Sequence, residues 1–258
     1  MIFTVYTLAS SSKGNSVYVR LDDDEILIDA GISCKRLSEA LRSLGTDISR
    51  IKAVFVTHEH SDHVAGLETL AKKYKIPIHI TEPSARAYLS QKTASAASTA
   101  IIHPILYTEQ VGALTVRSFA TPHDSAASVG FVVTDGTPEH TLALATDIGT
   151  LTDDVSDALI GCENVILESN HDENMLLCGD YPYELKRRIL SDTGHLSNEA
   201  AAAFVSRLAA SGTKRILLAH LSQDNNLSEL AYHSCLTVLE GSDVFLDVAA
   251  PTQPTKLI

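Results

Sequence analysis

The chain has 258 residues, 45% of them hydrophobic, enough to bury a large core, and a formal net charge of -12 at neutral pH. That acidic balance excludes a surface coated in positive charge for general nucleic-acid binding, although it leaves a local basic groove open. No apolar segment approaches membrane-spanning length, the N-terminus has no signal-peptide form, and Cys34, Cys162, Cys178 and Cys235 stand without any CxxC pair, so the expectation is a soluble cytoplasmic protein with residues 1–258 as one domain.

Strand-like alternation over residues 2–8, 16–21 and 25–29 predicts a β-meander, with Asp22, Asp23, Asp24 and Glu25 as a solvated hairpin tip and Gly31 breaking the run. A helix is expected over Lys35 to Leu44, ending at Gly45, then an apolar strand over 51–57, a helix from about Asp62 to Lys73 and a strand from Ile76 to Ile80. Residues 91–103 are small and polar and read as a mobile loop or short lid. Strands return at 113–119, 129–134, 141–146 and Val165 to Leu167. Helices 182–190 and 198–210, strand Arg215 to Ala219, a helix around 227–239 and strand Val244 to Leu246 complete the order. The alternation predicts an α/β (α+β) fold, a four-layer αββα sandwich of two mixed sheets with helices outside. The basic clusters Lys72-Lys73-Tyr74-Lys75 and Lys186-Arg187-Arg188 read as solvated helix faces.

The densest chemistry lies at Thr57-His58-Glu59-His60-Ser61-Asp62-His63, directly after the apolar run Ala53 to Val56. An imidazole offers one nitrogen lone pair to a divalent metal and a carboxylate offers oxygens that can bridge, so three imidazoles and an aspartate in this space point to a metal site, and to two metals. On an extended chain His58 and His60 project to one side, whereas Asp62 and His63 sit near a helix start and point elsewhere. Beyond three later strands stand His123, Asp147 and His220, each an imidazole or carboxylate at the mouth of an apolar run, where a rigid scaffold can aim it.

The HxHxDH signature, a later His, an Asp ending a strand and a final His together resemble the metallo-β-lactamase superfamily over the whole chain. By that resemblance His58, His60 and His123 would hold one metal and Asp62, His63 and His220 the second. Asp147 would bridge them with a water or hydroxide, and Asp29 would brace the site without ligating. Ser10 to Ser16, Thr121 to Asp124, Ala145 to Gly149, Glu168 to Asp172, Gly194 to Asn198 and Leu221 to Asn226 look like the bacterial YycJ (WalJ) group, which is similar to tRNase Z and to the carbon-phosphorus lyase phosphodiesterase. The resemblance implies a phosphodiesterase or nuclease that uses the metal-bridging hydroxide, with exonuclease action on DNA as the group's proposed activity. The stretch between Asp147 and His220 is too short for the inserted clamping domain of the RNase J type.

Two divalent ions, zinc, manganese or iron, roughly 3.5–4 Å apart would suit in-line hydrolysis of a phosphodiester, with Asp62 orienting the nucleophile. His195, just ahead of the apparent N-cap Ser197, is the expected proton donor to the departing alkoxide, and that helix start could hold a phosphate. His171 and Asp172 could line the pocket or support a ligand imidazole. Ser12, Asn15, Asn225 and Asn226 could donate hydrogen bonds to substrate phosphate or serve only as turn residues. His79 reads as a satisfied strand histidine, and His103, His140 and His233 as surface or helix residues. Two other functions stay open: hydrolysis of small or cyclic phosphodiesters, and a metal-binding regulatory protein with little turnover.

Overall fold

The computed structural model of the protein describes residues 1–90 and 97–258. One sheet contains β1 (Phe3–Ala9), β2 (Ser16–Leu21), β3 (Asp24–Ile28), β4 (Ile51–Phe55), β5 (Ile78–Thr81), β6 (Ala100–His103) and β14 (Thr255–Lys256), in the order β14-β1-β2-β3-β4-β5-β6. The other contains β7 (Thr108–Val111), β8 (Leu114–Ala120), β9 (Val129–Thr134), β10 (Leu142–Ala145), β11 (Asn164–Glu168), β12 (Arg215–Ala219) and β13 (Phe245–Val248), in the order β13-β12-β11-β10-β9-β8-β7. Each sheet is antiparallel on one side and parallel on the other: β3, β4, β5 and β6 run together, as do β10, β11, β12 and β13.

Alternate residues of the same strands face different cores, which is why the central strands read as continuous apolar runs. Ile166 and Leu217 enter the core between the sheets with Val19, Ile26, Phe55, Phe131 and Leu144. Val165, Leu167, Ile216 and Leu218 face outward onto Val155, Leu159, Phe204 and Leu208, from helices α5 (Asp153–Leu159) and α8 (Asn198–Ala210). On the first sheet, Leu27 and Val54 meet Leu37 and Leu41 of α1 (Cys34–Ser43) and Leu67 and Leu70 of α3 (Leu67–Tyr74). The four αββα layers expected from the alternation are therefore present. No helix among the described residues is long and apolar enough to cross a membrane.

Several local expectations are corrected. The helix expected from Asp62 to Lys73 is two helices, α2 (Ser61–Val64) and α3, because the chain bends at Gly66, whose N–H donates to the Ala30 carbonyl at 2.8 Å. Of the expected lid, residues 91–96 lie outside the described residues and Ala100–His103 is the edge strand β6, not a loop. His103 consequently sits on a strand, half-buried. Glu25 is not part of a solvated tip: its carboxylate is fully buried and accepts from Tyr18, Thr46 and Arg50, while Asp24 accepts from Lys52 and the Ala113 amide. Three short helices escape the apolar periodicity, α4 (Glu82–Leu89), α5 and α6 (Glu173–Cys178), the last two capped by Thr152 and Asp172. The helix α7 (Tyr183–Ile189) matches its expected place, as does α9 (Ser228–Val238). All three cations in Lys186-Arg187-Arg188 have partners: Lys186 donates to the Leu177 and Gly179 carbonyls, Arg187 lies 3.9 Å from Glu184, and Arg188 pairs with Asp124.

Candidate metal centre

The parallel strands deliver polar residues from their C-terminal ends to one rim of the sandwich: Asp29 after β3, His58 after β4, Asp147 after β10, Glu168 at the end of β11 and His220 after β12. Asp29, Asp147 and His220 have φ of 60°, 57° and 57°, the left-handed conformation that turns the chain sharply off its strand. Such backbone is uncommon outside glycine and persists where the surroundings fix it. At His220 they do: its N–H donates to Ser10 Oγ at 2.7 Å and its carbonyl accepts from Asn170 Nδ2 at 2.8 Å.

Each imidazole is anchored through one nitrogen and presents the other. His63 Nδ1 lies 2.7 Å from Asp29 Oδ2, His220 Nδ1 2.7 Å from Glu168 Oε1, His123 Nδ1 3.2 Å from the Gly194 carbonyl and His58 Nδ1 3.0 Å from Thr57 Oγ1. His60 is turned the other way, its Nδ1 3.3 Å from His123 Nε2. The donor atoms of His58, His60 and His123 converge within 4.8 Å, as do those of Asp62, His63 and His220, and those of His58, His63 and Asp147. All seven expected ligand residues are thus brought together. Asp29 takes the bracing position, accepting from the Thr57 amide and hydroxyl, both at 2.8 Å.

Asp62 reaches the centre because α2 starts one residue before it. Its Oδ2 lies 3.1 Å from Asn15 Nδ2, 3.3 Å from His63 Nε2 and 3.6 Å from His220 Nε2. The Asp62 carbonyl accepts the Asn15 amide at 2.8 Å and passes so close to Gly31 that a Cβ there would lie 1.5 Å from that oxygen. Gly31→Ala is therefore expected to lower stability by about 1–3 kcal/mol by overpacking and to displace Asp62. Chemical denaturation and metal titration of the variant check both effects, and an unchanged metal affinity would contradict the second.

Glu168, which the resemblance includes in the segment Glu168 to Asp172 without a role, stands at the heart of the centre. It is fully buried and accepts four donors: Ile148 N at 2.9 Å, Leu196 N at 3.0 Å, His195 Nδ1 at 2.9 Å and His220 Nδ1. Its signal was present in the sequence, a carboxylate closing the apolar run Val165 to Leu167, as Asp147 closes Leu142 to Ala145.

Beside the centre opens a cavity of about 170 Å³, lined by Ser12, Asp124, Asn170, Tyr181, Arg188, His195, His220 and Ser222 among others. Of the residues expected at substrate, Ser12 lines it. Asn15 is instead buried against Asp62 and His63, and Ser197 spends its hydroxyl capping α8 through the Ala200 amide at 3.2 Å. Asn225 is buried, with its carbonyl taken by the Asp172 amide, and Asn226 is buried in a network with Asn198. His171 is buried, and neither of its ring nitrogens has a hydrogen-bond partner among the described residues. Asp172 is the N-cap of α6.

A family profile described as "Beta-lactamase superfamily domain" matches residues 24–221. The chain is 37% identical over 256 residues to "Exodeoxyribonuclease YycJ" of Bacillus anthracis, covering 97% of this chain and 96% of that protein. The chain belongs to the metallo-β-lactamase superfamily. It is also 33% identical to "Exodeoxyribonuclease WalJ" of Streptococcus pneumoniae serotype 2 (strain D39), over 95% of this chain and 91% of that one. Among solved structures it is similar to the metallo-β-lactamase fold protein YhfI from Bacillus subtilis, with a TM-score of 0.74 and 17% identity over 98% of this chain and 99% of that chain.

Membership in the superfamily makes the chain a metal-dependent hydrolase, and the electrostatics of the centre fit divalent cations. His58 Nε2, His220 Nε2 and Asp147 Oδ2 are buried without a hydrogen-bond partner among the described residues, a state that is unfavourable unless something else meets those lone pairs. Burial, then the neighbouring imidazoles, hold His58 well below its ordinary pKa, a neutral donor. Burial also works against charge on His220, yet Asp147, Asp62 and Glu168 together push it up to about 10. His63 is likewise raised, with Asp147 and Asp29 outweighing burial. The pocket thus draws positive charge to the place where metallo-β-lactamase ligands converge, and binding a cation there releases those protons.

Proposed function

We propose that the protein is a DNA exonuclease holding two divalent ions, zinc, manganese or iron. His58, His60 and His123 would hold one, Asp62, His63 and His220 the other, with Asp147 between them. Support comes first from the two relatives named exodeoxyribonuclease, which it matches over nearly their whole lengths. The unpartnered donors of His58, Asp147 and His220 support the ligand set. The proposal takes residues 1–258 as one domain, in keeping with the core shared by both sheets, and places the protein in the cytoplasm, in keeping with four free cysteines.

When bound, the ions supply Lewis-acid stabilisation of the phosphoryl oxygens and lower the pKa of the attacking water. The chain's own residues supply the rest. Burial would raise the Asp62 carboxyl, but His220 and His63 outweigh it and hold it well below the usual range, so it stays ionised and can orient the water. Ser12 stands in the cavity wall, where it can meet a phosphate oxygen, and Arg188 lines the same wall paired with Asp124. His195 spends Nδ1 on Glu168, leaving Nε2 for the departing alkoxide.

The deciding experiment offers the purified protein, with manganese or zinc, labelled duplex DNA with and without a 5′ phosphate, single strands and bis(p-nitrophenyl) phosphate. Stepwise shortening of DNA that Asp62→Ala abolishes is the expected result. Turnover of the small ester alone would replace this reading with a small-molecule phosphodiesterase, and inactivity towards all substrates with metal bound would make the protein regulatory.

His195 carries its own pH signature. Burial opposes its charged form, but Glu168 outweighs burial and raises its pKa, so the proton-donating form persists above the range of an ordinary histidine and is lost as pH rises further. His195→Ala is expected to lower kcat by roughly 10²–10⁴-fold and to remove the alkaline fall of the kcat profile. A variant that retained this fall would exclude His195 as the acid.

A further inference from the structure

A second group of metal-ligand side chains lies away from the strand-end cluster, where the open edges of the two sheets meet. His79 on β5, His103 on β6 and Glu109 on β7 bring one donor atom each within 4.8 Å of one another. His79 Nδ1 lies 2.9 Å from His103 Nε2, which in turn lies 4.0 Å from Glu109 Oε2. Donors on a tetrahedral zinc ion stand roughly 3.3 Å apart, between those two separations.

We propose that His79, His103 and Glu109 form a further metal site of the zinc class, whose three protein donors clip the edge of the first sheet to the edge of the second. The three donors come from two sheets, since β5 and β6 close one and β7 closes the other.

Both rings are fixed in advance of binding. His79 stacks on Phe55 with centroids 4.5 Å apart, and His103 stacks on Tyr107 at 4.0 Å with the rings 6° from parallel. Held this way, their lone pairs cannot turn aside, which is what a site built from a scaffold requires. Burial pushes His79 down to about 4 and also lowers His103, so both imidazoles are neutral donors in neutral solution. Glu109 supplies the negative charge, and no lysine or arginine is recorded in an ion pair with it among the described residues. His79 is buried, the His103 side chain is 12% exposed and that of Glu109 36%, so the fourth position opens to water on the Glu109 side. Imidazole and carboxylate in this proportion suit zinc.

The test compares the intact protein with His103→Ala and Glu109→Gln, each saturated with zinc chloride, freed of excess by gel filtration and assayed for bound metal. The intact protein is expected to retain one more equivalent than His103→Ala, and Glu109→Gln to hold that equivalent at least tenfold more weakly in chelator competition. Zinc should raise the unfolding midpoint of the intact protein further than that of either variant, while bis(p-nitrophenyl) phosphate hydrolysis stays the same in all three. Equal equivalents in the intact protein and His103→Ala would overturn the proposal and leave His79 and His103 as a plain hydrogen-bonded pair. Should His103→Ala fail to fold, an unweakened last equivalent in Glu109→Gln overturns it equally. Because only differences between these proteins are read, the result does not depend on the number of ions at the strand ends.

Discussion

Glu168→Ala is expected to lower stability by roughly 3–5 kcal/mol and metal affinity by about 10–100-fold. The side chain is fully buried and its two oxygens serve the Ile148 and Leu196 amides and the His195 and His220 imidazoles. Truncation leaves four donors facing a void. Each unsatisfied buried donor is unfavourable by about 1–3 kcal/mol, with partial relief from water entering the cavity. Glu168→Gln separates shape from charge. It keeps the volume and one acceptor oxygen, but its amide nitrogen faces two of the four N–H donors, so stability should fall by less than in Glu168→Ala while the charge that outweighs burial at His195 is removed. The pKa of His195 then falls, its proton is lost at lower pH, and the alkaline limb of the kcat profile moves to lower pH. Equilibrium denaturation reads the first variant and a pH–rate series the second. If Glu168→Gln kept the profile of the intact enzyme, the carboxylate would have no hold on the proton donor.

Asp62→Ala should show a different balance, with a severe loss of turnover and a smaller loss of metal-free stability than Glu168→Ala, since the carboxylate is partly exposed yet held ionised by His220 and His63. Its carboxylate is about one-fifth exposed and is met by Asn15, His63 and His220. His63 and His220 keep Asp29 and Glu168 as partners when it is gone, and Asn15 Nδ2 keeps its 3.1 Å contact with His63 Nε2. On the proposed function the variant loses both a metal ligand and the carboxylate that would orient the attacking water, and kcat is expected to drop by about 10³-fold, close to 4 kcal/mol of transition-state stabilisation. The unfolding midpoint of the metal-free protein should fall less than in Glu168→Ala. A large loss of stability would mean that Asp62 is chiefly structural.

The contrast between these residues also explains what could be read in the sequence. His58, His60, Asp62 and His63 are legible because they crowd into one turn after an apolar strand, and His123, Asp147 and His220 because each interrupts a run of buried residues. Glu168 follows the same grammar, but a lone glutamate after Val165, Ile166 and Leu167 does not announce that two imidazoles and two amides converge on it. That convergence exists only once β10, β11 and β12 lie side by side. The sandwich was legible for a similar reason, since strands buried on both faces read as apolar runs. Edge strands β6, β7 and β14 were not, because their outward faces carry residues as exposed as Ile102 and Thr108. The break between α2 and α3 depends on a carbonyl of Ala30 from another part of the chain, which no helical periodicity contains. Asn15 and Ser197 are plausible phosphate donors by residue type, but in the fold Asn15 donates to Asp62 and the Ser197 hydroxyl caps α8.

The bond from the His220 amide to Ser10 joins residues 210 positions apart, and β14 pairs with β1 only when Thr255 and Lys256 have been made. Contacts of such long separation are intrinsically slow to form. During synthesis the chain therefore emerges with its histidine-rich turn long before the residues that complete the centre. An ion captured early would meet an unfinished ligand set and be held weakly. On the ligand set proposed above, the complete centre would therefore be available only after β12 has joined its sheet and His220 has met Ser10.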